Sequence, residues 1–414
     1  MLKQFLLSLT MVFSGSVLSQ ELTGWALLPA ATFASGPTSG QFASPNNYGT
    51  NRPPFVNQQP VQGFSAVLRG PSQDRFILLV DNGFGAKANS ADSLLRAYSM
   101  KVNWSKHSIE PSDLVKGRKR NTFDSSTQIE FNDANRQLTF AIQADYVNYY
   151  NDPKNVAVDP SIRSLRLLTG ADLDPESLQK DRQGNYWIGD EFGPYLIKTN
   201  AKGTVLRSQI PLPGVYAPEN ADVLAGKVKS NLPGSGGFEG MTINKSKTKL
   251  ITLLEKGVAG DPAKMLRLNE FDLASESFTS WSAFYPLEGQ GTNIGDIVAV
   301  DDKRLIVIER NGDTATVGNP FKKLFLIDLS KVSSSGVVAK EELVDLMAVN
   351  DPRDLNGDGS KVFSFPFVTI ENVLVLSKRE LLVVNDNNFP YGGGRSLASD
   401  NTEFLRIKLN KPLY

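Results

Sequence analysis

The feature that most restricts this chain is a recurring pair of short apolar runs joined by a polar turn. The second run of each pair ends on acids or amides. These are "RFILLVDNG" at Asp81, "NYWIGDEFG" at Asp190 and Glu191, "KLITLLEKG" at Glu255, "RLIVIERNG" at Glu309 and "ELLVVNDNN" at Asn385 and Asp386. Upstream of each lies a run that begins near a polar residue: "GFSAVLRG" (Ser65), "GADLDPESL" (Asp174), "GGFEGMTIN" (Glu239), "NIGDIVAV" (Asp296) and "TIENVLVL" (Glu371). Such short runs, rich in Val, Ile, Leu and aromatics, read as strands. The two polar positions lie 16, 16, 16, 13 and 14 residues apart in successive pairs. That spacing predicts a hairpin, with the start of the first strand beside the end of the second.

From Asp81 the strand ends recur after 109, 65, 54 and 76 residues. The first step is about double the others, which predicts one more unit within "STQIEFNDANRQLTFAIQADY", residues 126–146. Six strand-rich units predict an all-β chain folded as a six-bladed β-propeller, with seven blades as the alternative. Short helices are expected only in loops, with "PSDLV" and "KEELVDLM" as the helix-like stretches, because 34 Gly and 23 Pro interrupt the rest. The runs "GWALLPAATF" and "TEFLRIKLN" are expected to share one blade and close the ring, which removes the open edge.

Residues 1–20 carry Lys3, an apolar run from Phe5 to Val12 and then small residues, the layout of a secretory signal. The apolar run is shorter than the roughly 20 residues of a membrane helix. Residues 21–414 are therefore expected to form a single propeller domain, secreted or periplasmic, monomeric and free of the membrane. With no cysteine there is neither a disulfide nor a lipidated thiol. Lys+Arg and Asp+Glu are both 44, so no net field recruits nucleic acid, and a small molecule is the expected partner. The single histidine, His107, lies in the polar stretch "NWSKHSIEP", which poorly supplies a Ser-His-Asp triad or a zinc site.

Oxygen ligands remain. In a propeller, one end of every blade faces a common channel, so acids far apart in sequence would form one ring. A ring of like charges needs a counter-charge, and calcium takes six to eight oxygens at about 2.3–2.6 Å. Asp81, Asp190, Glu191, Glu239, Glu309, Glu371, Asn385 and Asp386 are the expected ligands or orienters. Glu239 or Asp190 is the expected general base, and Lys256, Arg310 and Arg395 are the cations suited to a substrate's charge. The plain alternative at any single position is a solvated turn residue. A separate stretch, "DLNGDGS", sets Asp354, Asn356 and Asp358 in the order of a calcium loop. Phe365 stands where a bidentate Glu would be needed, so the stretch is either a structural calcium turn or an Asx-rich loop.

The segments "QPVQGFSAV", "VDNGFG", "GADLDPESLQKDRQGNYWIGDEFGPYL", "GGFEGMTIN", "VIERN", "TIENVLVL" and "VVNDNNFPYGGGR" together resemble the phytase-like, or "esterase-like activity of phytase", family of exported proteins. The likeness spans Gln59 to Arg395, and "DLDPE" with "GDEFGP" is its most specific part. The shorter "FEGM" and "VVND" look like inner-strand motifs of calcium-dependent lactonase and paraoxonase-type propellers. The family resemblance implies a β-propeller that hydrolyses phosphate or carboxylic esters. The residues themselves leave two other functions open: a non-catalytic, calcium-stabilised binding protein, and a lactonase.

Overall fold

The computed structural model describes residues 20–414 apart from 46–50, 151, 153 and 397, so nearly all of the expected signal segment lies outside the described residues. All five expected hairpins form, each antiparallel, with Phe64 opposite Val80, Pro175 opposite Asp190, Gly240 opposite Leu253, Ile294 opposite Glu309 and Ile370 opposite Asn385. Each hairpin is the inner half of a four-stranded sheet. Blade I comprises Phe64–Arg69, Arg75–Val80, Arg96–Asn103 and Ser108–Pro111. Blade II comprises Pro175–Lys180, Tyr186–Asp190, Tyr195–Thr199 and Ile210–Pro211. Blade III runs through Gly240–Ile243, Lys249–Leu253, Met265–Asp272 and Ser277–Pro286. Blade IV runs through Asn293–Ala299, Arg304–Arg310, Lys322–Val332 and Val338–Asp345. Blade V has Ile370–Ser377, Glu380–Asn385 and Thr402–Lys408, with Glu21–Leu28 as its outermost strand.

The inner strands pack in the cyclic order I, II, III, IV, V and back to I, which is a propeller. Five such blades are present among the described residues, one fewer than expected. In residues 126–146 only Gln128–Glu130 is a strand, and it pairs with Arg96–Asn103 as an extension of blade I. The apolar residues of this excursion, among them Leu138, Ile142 and Ala144, are buried between blades I and II instead of pairing. The stretch "KEELVDLM" differs from its helical reading too: it supplies most of the outermost strand of blade IV, where pairing with Lys322–Val332 overrides a weak local preference. Helix is confined to Pro160–Leu165 and Ala221–Leu224, with one 3-10 turn at Gln143–Asp145.

Five apolar seams hold the blades together, one at each junction. Trp187 and Leu196 of blade II meet Phe238 and Phe271 from blade III's side, and Ile306 and Leu324 of blade IV meet Leu381 and Leu405 of blade V. Burying one such aromatic or aliphatic side chain is worth about 1.5–3 kcal/mol. Polar ties at the inner strands add direction. Ser177 Oγ donates to Phe238 O at 3.1 Å, Val373 N donates to Asp296 Oδ2 at 2.9 Å, and Asn372 Nδ2 donates to Phe64 O at 2.5 Å.

Ring closure is as the terminal runs predict. Glu21–Leu28 pairs antiparallel with Thr402–Lys408 from Glu21–Lys408 to Leu28–Thr402, and Leu27 also bridges to Ser108 of blade I. Its alternating burial seats Leu22, Ala26 and Leu28 in the seams. Removing residues 21–28 would bare Thr402–Lys408 as an edge. The expected outcome is a chain that aggregates on refolding, measured by light scattering, and a monodisperse, fully folded product would contradict this closure.

Candidate metal centre

Each blade offers two positions to the axis. The first lies at the start of the inner strand, where the register of four blades skips one residue: Ser65, Glu176, Gly295 and Glu371. Such a bulge re-aims the extra side chain out of the ladder. In blade III the equivalent residue is Glu239, just before the strand begins. The second position directly follows the residue paired with the inner strand's start. It holds Asp81, Glu191, Glu255, Arg310 and Asp386. The two positions are 15 or 16 residues apart in every blade.

These groups meet. Carboxylate oxygens of Asp174, Glu176 and Glu191 lie within 4.8 Å of one another, and so do those of Glu176, Glu239 and Glu371. Two oxygens bound to one calcium ion at about 2.3–2.6 Å cannot stand farther apart than about 5 Å, so both triads fit such an ion. Arg310 Nη2 lies 3.3 Å from Glu239, 3.1 Å from Glu255 and 3.1 Å from Glu371. Behind it, the fully buried Lys322 donates to Asn311 O and Val368 O, and its ammonium is pushed down to about 7 by burial and then by Arg310.

Neighbouring groups fix the acids in place. Asn82 donates to both oxygens of Asp174, at 3.2 and 2.7 Å, and Ser65 Oγ donates to Glu371 Oε2 at 3.0 Å. Two hub oxygens, Glu191 Oε1 and Glu255 Oε2, are buried and accept no hydrogen bond. A carboxylate oxygen left so is costly unless a proton or a cation completes it.

Burial raises the proton affinity of nearly the whole set. Glu371 is pushed up to about 8 by burial and Asp386, against the pull of Arg310. Asp174 rises to about 6 by burial, opposed by hydrogen bonds from Glu176 and Asn82. Burial and neighbouring carboxylates hold Asp81, Glu176, Glu191 and Glu239 well above the ordinary carboxylate range. For Arg310, burial alone would favour the neutral form, but Glu255, Glu371 and Glu239 more than offset it and keep the guanidinium charged.

The adjacent acids Asp190 and Glu191 divide the work. Asp190 is fully buried and accepts the backbone N–H groups of Asp174 and Gly193, each at 2.8 Å. It pins the loop, and Glu191 faces the axis. Gly189 permits this close packing, since a Cβ there would lie 2.2 Å from Ser177 Oγ.

Of the expected ligands, the structure brings Asp81, Glu191, Glu239, Glu371 and Asp386 together with Asp174, Glu176 and Glu255. Glu309 lies elsewhere. Strand alternation turns Arg310 to the axis, and Glu309 instead accepts from Tyr285 Oη and Lys340 Nζ, each at 2.6 Å. Asn385 is one residue short of the axis: its Oδ1 accepts Glu403 N at 2.7 Å and its amide donates to the carbonyls of Asp386 and Asn401. Arg395 is bound to Glu403 at 2.6 and 3.1 Å and lies over Phe363 and Phe367, against the outer part of blade V. Lys256 is at the rim, donating to Gly234 O at 2.8 Å beside Glu255. In the 354–360 loop, Asp354 accepts Gly359 N and Asp358 accepts Asn356 Nδ2 and Ser360 N, so the loop's own donors engage these oxygens. His107 sits in a turn of blade I against Trp25, not at the axis. The sequence reading missed Glu176. Its signal is the near-constant spacing between the two axial positions, which Asp174 fails to give when aligned with Ser65 and Glu239.

Residues 59–389 match the sequence profile of the family described as "Phytase-like: Esterase-like activity of phytase". An "uncharacterized secreted protein" of Arthroderma benhamiae is 26% identical over 125 residues, a stretch covering 25% of this chain and 24% of that protein. Among solved structures, a GH43 β-1,3-galactosidase with galactodeoxynojirimycin is similar at a TM-score of 0.40 and 13% identity, covering 90% of this chain and 94% of that one. A luciferin-regenerating enzyme is similar at 0.36 and 11%, covering 86% and 83%. Likenesses this distant carry nothing about function, and the propeller stands on its own sheets.

In the chelator-treated protein the raised carboxyls set a pH dependence. Asp174, Asp190 and Glu371 titrate near 6, 7 and 8 when folded, against 3.8, 3.8 and 4.5 ordinarily. The folded state therefore holds protons that the unfolded chain has released, and this contribution is greatest below about pH 4 and is lost as pH rises through 6–8. The melting temperature of the metal-free chain is expected to fall by on the order of 5 °C from pH 5 to pH 8, and millimolar calcium is expected to recover it at pH 8. A metal-free chain equally stable at both pH values would contradict the electrostatics described above.

Proposed function

The chain belongs to the phytase-like family, and from that premise we propose that it is an exported, calcium-dependent hydrolase of phosphate or carboxylic esters acting at the hub of the propeller. The observation that carries this reading is the convergence of the axial acids, with buried oxygens of Glu191 and Glu255 lacking any hydrogen-bond partner. The donor set is all oxygen, which suits a hard cation. Asp174, Glu176 and Glu191 are the residues that would hold it, with Glu371 and Glu239 alongside. A calcium ion there supplies a Lewis acid for the ester oxygen and a counter-charge for the acids.

Glu239 is the general base in this scheme. Arg310, 3.3 Å away, opposes the burial that raises its carboxyl and so favours the ionised form. Asp190 is unsuited to the role, since both of its oxygens accept backbone N–H groups that define the loop. Glu239 takes a proton from water as the water oxygen bonds to phosphorus or the carbonyl carbon. The bond to the alcohol oxygen breaks, and the proton passes from Glu239 to the leaving alcohol. Arg310 spans Glu255 and Glu371 as well, and so keeps Glu239 oriented.

One observation favours a second reading: the axial acids are nearly closed off, with Glu239 only 3% and Glu176 7% exposed. A calcium-stabilised binding protein would look the same. Turnover of p-nitrophenyl acetate and p-nitrophenyl phosphate separates the two. The expected result is activity that EDTA abolishes and calcium restores, with Glu239→Gln lowering kcat by about 10²-fold or more. Calcium-dependent stabilisation without turnover of any ester would favour the binding protein, and activity that survives thorough chelation would overturn the mechanism.

A further inference from the structure

Blade IV breaks the pattern of the hub. At its inner-strand position stands Gly295, where a Cβ would lie 1.9 Å from Ile370 O, so no carboxylate fits there. At its second position stands Arg310 in place of an acid, and the guanidinium reaches across to Glu239, Glu255 and Glu371. The two acid triads share Glu176 but differ in this respect. In one, two of three members are already paired to Arg310. In the other, Asp174 and Glu191 make no contact with it. Glu191 is only 4% exposed, and its Oε1 is one of the two hub oxygens with no partner.

We infer that Arg310 is a built-in second cation, so that the hub takes a single divalent ion, held by Asp174, Glu176 and Glu191, and would take two without Arg310. This rests on the reading of the hub as a metal centre. The physical reason is local charge. A buried guanidinium paired with three carboxylates cancels much of the attraction that the Glu176–Glu239–Glu371 triad would exert on a second ion, and its own charge repels that ion. The unpaired triad keeps its full attraction. An arginine remains protonated at every physiological pH, so this half of the hub is balanced whether or not calcium is present.

Equilibrium dialysis with calcium alone, on the full chain stripped of metal, counts the ions. Hub sites are those lost in Glu176→Gln, the residue common to both triads. The expected count is one in the unaltered chain and two in Arg310→Gln. Within the unaltered Arg310 background, Glu191→Gln is expected to weaken the single site by at least about tenfold, with Glu255→Gln leaving it within about threefold. Circular dichroism establishes that each variant is folded. If Arg310→Gln does not fold, the Glu191 and Glu255 pair decides. Loss in Glu191→Gln alone supports the assignment, and any other pattern overturns it. A folded Arg310→Gln chain that still binds one ion, or an unaltered chain that binds two, overturns the inference and leaves the metal centre standing. An unaltered chain that binds none overturns both.

Discussion

Mutual repulsion among carboxylates at the axis is the constraint to which the rest of this structure answers. Five blades deliver seven acids and one arginine to their two axial positions, and Asp174 adds an eighth acid from the loop before blade II. In water such a group would simply ionise. Here the acids are buried, and each charge costs both desolvation and repulsion from its neighbours. Three agents can relieve that cost: protons, a fixed cation and a bound ion. The raised proton affinities show the first, and Arg310 is the second. The unpartnered oxygens of Glu191 and Glu255 mark where the third is called for.

A hub of this kind needs a frame that does not yield, and the seams between blades supply it. Each seam is a closed apolar layer in which side chains from two facing sheets interlock, as Trp187 does with Phe271 at 5.2 Å. The outermost strand of blade V comes from the start of the described chain, so opening the ring requires breaking a full ladder as well as two seams. The polar ties nearest the axis have a second function. Asn82 orients Asp174, Ser65 orients Glu371, and Asp190 holds the loop from which Glu191 projects. Blade-to-blade contacts thereby become the supporting shell of the site.

Much of this was legible in the amino-acid order. Apolar runs of strand length, recurring with turn residues between them, required hairpins, and hairpins whose ends carry acids in register required a common place for those ends to meet. The pairing of "GWALLPAATF" with "TEFLRIKLN" followed from the need to cover an edge. The blade number was less accessible, because the long excursion between blades I and II contains strand-like residues that pack as filler in a seam. Their apolar character is the same in either role, and only the space available decides between them.

The sequence by itself determined the all-β class, the repeated hairpins, the closing strand and the convergence of Asp81, Glu191, Glu239, Glu371 and Asp386. Tertiary structure alone decided which neighbour in each pair faces the axis. Side chains in a strand alternate, so an offset of one residue sends a group to the opposite side. Glu309 therefore serves Tyr285 and Lys340, and Arg310 reaches the hub. A bulge shifts that parity, and its position depends on how the sheets twist past one another, which no single blade's residues contain. For that reason Glu176, two residues from the more conspicuous Asp174, became an axial ligand candidate only once the blades were assembled.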